Sequence, residues 1–271
     1  MIKNNKKKIK LLKVSLFTIL CSFIFGVLFL FVIFIITSSY LKGGKFKRLI
    51  ENKISQNLNI DGEFDEFKWS GVSLKSNTFS AKGYSDNPLS KLRANGIRAN
   101  INLGAIKNKT WEVSSVDINQ LNFLIDESEK KFPNIYKNNV NGFNQNESNW
   151  LKKLFFPDKL IVKSFRVNDI NFDFNNYPLN ILGRGISLNA EESSVSNSYK
   201  IEAFNGGIWI GEFPKLLLKD GHFRNIGNKI IIDSFDFNLF DESKARVFGE
   251  IIVSKSPFLD MECKLSDLPA D

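Results

Sequence analysis

The sequence predicts a mainly β protein: a single N-terminal transmembrane helix followed by an elongated, mostly antiparallel, open groove-like β-sheet. Three observations predict it. An uncharged apolar run of 28 residues occupies positions 14–41. Past residue 60, hydrophobic and polar residues alternate with the period of two that sends successive side chains to opposite faces of a strand. No stretch there alternates strands with helices, and no glycine-rich loop stands at a strand-to-helix junction, which removes Rossmann, P-loop and barrel-enzyme folds.

The first element is a basic tail, residues 1–13, that holds six lysines and no acid. The run at 14–41 is dense in Leu, Ile, Phe and Val, and a helix of that length exceeds the ~30 Å hydrocarbon core of a bilayer. Cleaved signal peptides carry shorter apolar regions, of about 7–15 residues, and end in a small-x-small site that Ser38, Ser39 and Tyr40 do not supply. The segment therefore reads as an uncleaved anchor. Its six preceding lysines outnumber the four bases that follow closely, which places the short tail in the cytoplasm. The formal charge of +8 is concentrated here: ten bases and no acid fall in residues 1–48, leaving 27 bases against 29 acids beyond. That distribution belongs to the flanks of a membrane segment and excludes a nucleic-acid surface.

Residues 42–60 read as a juxtamembrane amphipathic helix, since Phe46, Leu49, Ile50, Ile54 and Leu58 recur at spacings of three and four. Either it lies apart from the anchor on the headgroups or under the first strands, or it extends the anchor beyond a break at Gly43 and Gly44. A first β unit follows at 61–125. Phe67 and Trp69, Val72 and Leu74, Phe79 and Ala81, then Ile97, Ala99, Ile101 and Leu103 alternate with polar residues, and Gly, Asn, Asp and Pro mark the turns. Residues 126–159 are rich in Asn and Lys and read as a flexible linker ending in a short helix stopped by Pro157. A second β unit occupies 160–271 and is expected to be incomplete at its C-terminus.

A weak repeat runs through the strands. Val113, Val116, Ile118, Leu121 and Phe123 share their spacing with Val162, Phe165, Val167, Ile170 and Phe172, and in part with Ile232, Phe235 and Phe237. The polar break inside the motif has the form of a β-bulge. Separations of about 49 and 70 residues are too irregular for a propeller or a short-period β-helix.

The order of basic tail, anchor and short helix, then the run from Asp61 and Gly62 through Trp69, Gly71 and Leu74 to the alternating Phe79, Ala81, Gly83 and Tyr84, resembles the start of AsmA-like proteins. Segments 93–103, 113–125 and 154–170 and the closing Gly249, Ile251 and Val253 fit the same layout. The resemblance implies an inner-membrane-anchored periplasmic protein with a long open β-groove, apolar within, that supports phospholipid transport and outer-membrane biogenesis. The chain is short for members that bridge both membranes, and their C-terminal continuation is absent.

A groove of this kind needs no catalytic group, metal or cofactor. It needs one continuous apolar face on which acyl chains are shielded from water at ~0.8 kcal/mol per methylene. Twenty of the 26 phenylalanines lie beyond the anchor. Alternation sends Phe165, Val167, Phe172, Phe235, Phe237, Val247 and Ile251 toward one shared channel, and these are the candidate lipid-groove residues. A closed β-sandwich satisfies the same alternation equally well. His222 reads as a turn residue after Asp220 and Gly221, and the carboxylate pairs Asp65/Glu66, Glu191/Glu192 and Asp241/Glu242 as solvated turn charges. With one His and two Cys in the chain, zinc sites, His-based triads and disulfide frameworks are excluded. The expected partners are phospholipid acyl chains, the inner membrane and other envelope proteins. The alternative function is a non-enzymatic scaffold or assembly factor that binds envelope proteins by strand addition.

Overall fold

The structure, a computed structural model of the chain, describes residues 39, 42–84, 87–102, 110–126, 159–176, 179–194, 198–239, 243–252 and 258–266. The chain divides into two compact units, Met1–Ile50 and Glu51–Asp271, and the sheet lies in the second. Apart from Ser39, the expected anchor at 14–41 falls outside the described residues, and so does the expected linker at 126–159 apart from Asp126 and Lys159, which lie in strands. Among the described residues no helix is long and apolar enough to cross a membrane.

Helix α1 (Gly44–Leu58) forms where the spacing of Phe46, Ile50 and Ile54 predicts it. It ends at Asn59, whose φ of +53° is the left-handed conformation that asparagine tolerates and that closes helices. The Asn87 side-chain amide donates to the carbonyls of Leu58 and Asn59 at 2.6 and 2.9 Å, satisfying acceptors that a helix end leaves open. The Glu51 carboxylate accepts the Phe64 backbone N–H at 2.8 Å, tying the helix to the first strand.

Fourteen strands follow among the described residues: β1 (Ile60–Phe64), β2 (Lys68–Ser70), β3 (Ser73–Gly83), β4 (Leu89–Asn102), β5 (Thr110–Asp126), β6 (Lys159–Val162), β7 (Ser164–Asn176), β8 (Leu179–Glu192), β9 (Ser198–Phe204), β10 (Gly207–Ile210), β11 (Leu216–Ile226), β12 (Lys229–Asn238), β13 (Lys244–Ile252) and β14 (Phe258–Ser266). They form one mixed sheet in the order β1-β3-β4-β5-β7-β8-β10-β11-β12-β13-β14. Three positions in it are interrupted strands. β1 and β2 both pair with β3, β6 and β7 both run beside β5, and β9 and β10 lie together between β8 and β11, broken at Asn205 and Gly206. Every pairing is antiparallel except those of β5 with β6 and β7. Among the described residues the order is linear, and β1 and β14 do not pair with each other.

Strict alternation would send every second residue to the same face, yet several strands keep that face across a step of three. In β5 both Ile118 and Leu121 serve the hydrophobic cluster, in β7 Val167 and Ile170, and in β4 Ala94 and Ile97. These steps stand side by side, since Ile97, Ile118 and Val167 share one register row and Ala94, Leu121 and Ile170 another. Gly96 makes the step in β4 at φ +65°, a backbone state that costs glycine little. The polar break in the sequence repeat is this step.

Two turn assignments are corrected. His222 lies inside β11, opposite Ser234 of β12, and Glu191 and Glu192 close β8 opposite Lys200 and Tyr199 of β9. Asp-Gly pairs read as turns, but Gly221 has a different cause. A Cβ there would come within 2.6 Å of the Phe235 ring and 3.0 Å of the Phe223 ring, so the strand needs a residue without one.

Candidate apolar binding face

Register places most hydrophobic residues of the sheet on one side, while Leu182, Ile231 and Phe248 alternate to the other, opposite Asp173, Arg224 and Glu262. One row runs Ile97, Ile118, Val167, Leu188, Ala203, Gly221, Phe235 and Val247, from β4 to β13. The next row on that side runs Ala99, Val116, Phe165, Ala190, Ile201, Phe223 and Ile232. Phe172 stands between Phe123 and Gly183, and Phe237 between Leu218 and Ala245. All seven candidate residues therefore share this face, with Ile251 opposite Ile230 in the same alternation as Val247.

Their environments differ. Val167 and Phe237 are buried, at 1% and 7% exposure, and form the packed base of the face. Phe165, Phe172, Phe235 and Val247 are half-buried and pack against a cluster that includes Ile60, Ile118, Ile186, Leu218 and Ala245. Ile251 is half-buried and stands outside that cluster. Among the described residues no second sheet lies over this face, because every strand belongs to the one sheet.

Phenylalanine rings organise the face. Phe123 and Phe172 stack with centroids 5.4 Å apart and planes 15° from parallel, and Phe235 meets Phe237 and Phe223 edge-on at 4.2 and 5.2 Å. Glycines seat these rings: a Cβ on Gly183 would fall 2.0 Å from the Phe172 ring. The alternation found Phe172 and Phe235 in the sequence. Their seats were hidden there, because a glycine inside a strand looks like a turn or a bulge.

The opposite face is polar and cross-linked. One row reads Arg98, Asp117, Arg166, Asn189, Glu202 and His222, with mostly complementary neighbours. A ladder of side-chain amides joins four strands: Asn95 donates to Gln120 at 3.1 Å, Gln120 to Asp169 at 2.9 Å, and Asn171 to Asn122 at 3.1 Å, while Asn171 accepts from the Gly185 N–H at 3.1 Å. Arg224 donates to both oxygens of Asp233, and Arg246 to both of Asp236. The hydrogen bond from Arg224 holds the Asp233 carboxyl below its ordinary range. On the apolar side, where Tyr199 alternates with Ile201 and Ala203 at the end of β9, burial first and then the nearby Glu192 carboxylate push the phenol up, and its hydroxyl donates to the Val162 carbonyl at 2.8 Å.

His222 lies on the polar face, its Nε2 2.9 Å from an Asp220 oxygen, with both side chains about half exposed. Water reaches the pair freely, so its surroundings give it neither a dry site nor a shaped pocket. A concavity of about 970 Å³ spans the β1 to β8 end of the sheet, where Asp61, Lys82, Lys91, Arg93, Asp173 and Arg184 meet Leu92 and Phe123. Arg184 is held there by Asp173 at 2.5 Å and by the carbonyls of Phe172 and Gly183, both at 2.8 Å. Among the described residues no group of three or more His, Cys, Asp or Glu side chains gathers to hold a metal ion.

Comparison with protein-family models, curated proteins and solved structures finds no match for the chain.

Proposed function

We propose that this chain is a membrane-anchored envelope protein of AsmA-like type whose sheet carries phospholipid acyl chains along its apolar face. The observation that carries the reading is the set of unbroken apolar rows crossing the sheet, backed by a polar face locked with ion pairs and amides. An apolar face of this extent needs cover, since bare contiguous apolar surface of more than a few hundred Å² is unusual on a soluble protein. Burial of Val167 to 1% within the one sheet supports reading the apolar face as the inside of a groove. Half-buried Phe165, Phe172, Phe235 and Val247 then line the space that an acyl chain fills, each shielded methylene contributing ~0.8 kcal/mol.

The eleven strand positions along the sheet, at ~4.8 Å spacing, give a path of about 48 Å across the strands. That path exceeds the ~30 Å hydrocarbon core of a bilayer, long enough to carry a lipid away from its membrane. The anchor at 14–41 holds the groove at the inner membrane, with the sheet on the periplasmic side.

Organic extracts of the full chain, purified in detergent and washed with lipid-free detergent, test this by mass spectrometry. Stoichiometric phospholipid is expected, and it is lost in Val247→Asp while the melting temperature stays within a few degrees. Extracts free of phospholipid, or an equal yield from Val247→Asp, contradict the proposal. A reporter fused after Asp271 tests the orientation: activity in the cytoplasm reverses it.

A further inference from the structure

The outer edge of β14 pairs with no strand among the described residues, and Met261 and Leu265 on it are 50% and 55% exposed. A nine-residue edge without proline offers a row of backbone donors and acceptors to another strand. We propose that a second copy of this chain docks there, β14 antiparallel to its counterpart about a two-fold axis at Cys263.

The β14 sequence complements itself in that register. With Cys263 opposite Cys263 of the second copy, Glu262 faces Lys264 and Lys264 faces Glu262, while Met261 faces Leu265 on the other side of the strand. Moving the axis by one residue either way sets Glu262 against Glu262 or Lys264 against Lys264, and like charges directly opposite destabilise a strand pair. Within one copy Glu262 and Lys264 already lie 3.5 Å apart with both side chains more than 60% exposed, free to exchange partners across the axis. Cys263 is a free, exposed thiol.

The two-fold axis stands perpendicular to the sheet, so both copies keep the same side. Cys263 lies opposite Val247, Met261 opposite Gly249 and Leu265 opposite Ala245, all on the apolar face. Pairing therefore removes an open edge and carries the apolar surface without interruption from one copy into the next. This goes beyond lipid binding and does not depend on it.

Directly opposed residues of an antiparallel pair have Cα atoms ~4.5 or ~5.5 Å apart, within the ~4.4–6.8 Å that a disulfide spans. The full chain carrying Cys21→Ser, purified in non-ionic detergent, should give a disulfide-linked dimer on mild oxidation, and adding Cys263→Ser should abolish it. In sedimentation, Lys264→Glu makes both charge pairs repulsive and should weaken self-association about tenfold. Adding Glu262→Lys restores complementarity and should restore the association. A chain monomeric at all concentrations, a Cys263 that links only to another protein, or association indifferent to Lys264→Glu overturns the proposal.

Discussion

Ile118 stands directly opposite Val167 across the parallel pair of β5 and β7, and the two side chains are 8% and 1% exposed. They are 49 residues apart, and so are Val116 and Phe165, Leu121 and Ile170, and Phe123 and Phe172, which pair beside them. On the polar face Gln120 and Asp169 keep the same offset, joined by a hydrogen bond at 2.9 Å. The repeat in the sequence thus becomes two copies of one strand laid in register, each hydrophobe beside its counterpart.

That junction is the first place to perturb the fold. Val167→Asp puts an unpaired carboxylate at the base of the face and should destabilise the sheet by about 3–5 kcal/mol, enough to unfold a marginal protein. Val247→Asp changes a half-buried position and should cost less than half as much. Urea denaturation of both variants compares them, and equal losses would show that the burial gradient along the face is wrong.

The glycine seats give a second test. Gly221→Ala pushes a methyl into the Phe235 and Phe223 rings and should cost about 1–3 kcal/mol. Combining it with Phe235→Leu should cost less than the sum of the two single changes, because the smaller side chain vacates the seat. A double-mutant cycle in thermal or urea unfolding reads this directly. Strict additivity would mean that the ring does not occupy the space over Gly221.

Much of this architecture was legible in the sequence, for reasons that individual residues make plain. The alternation of Phe165 and Val167, and of Phe235 and Phe237, fixes a face because strand geometry has a period of two. The spacing of Ile118 to Leu121 marks a break in alternation, because a three-residue interval is incompatible with that period, but the bulge it suggests is absent there: β4, β5 and β7 all take the step together and stay in register. In strand β8, Gly183 and Gly185 interrupt the alternation with signals that ordinarily mark turns. Parallel pairing of β5 with β7 was not legible, because alternation specifies which face a residue takes and not which strand stands beside it. Burial was hidden for the same reason: Val167 and Val247 look alike in sequence, and only their neighbours separate them.

The Arg224–Asp233 pair predicts a pH dependence. Asp233 sits at the bulge of β12, where Ser234 pairs with His222 and Ile232 with Phe223, and the guanidinium lowers its pKa. A carboxyl with a lowered folded-state pKa contributes stability above its unfolded value of roughly 3.9 and loses it as the pH falls through the folded value. Asp233→Asn should therefore melt below the parent at pH 7, with the gap closing as the pH falls below about 4. The exposed setting keeps the difference small, and a gap that widens in acid has the wrong sign for this pair.

The central claim is that phospholipid lies on the apolar face, and photocrosslinking tests it most directly. A photoreactive phenylalanine analogue is placed at Phe165, Phe172 or Phe235 on that face and at Arg166 on the polar face, in the full chain within its native envelope. Mass spectrometry of the irradiated protein should find phospholipid adducts at the three apolar positions and none at Arg166. Absence of lipid adducts at all three, or equal labelling of both faces, would contradict the account.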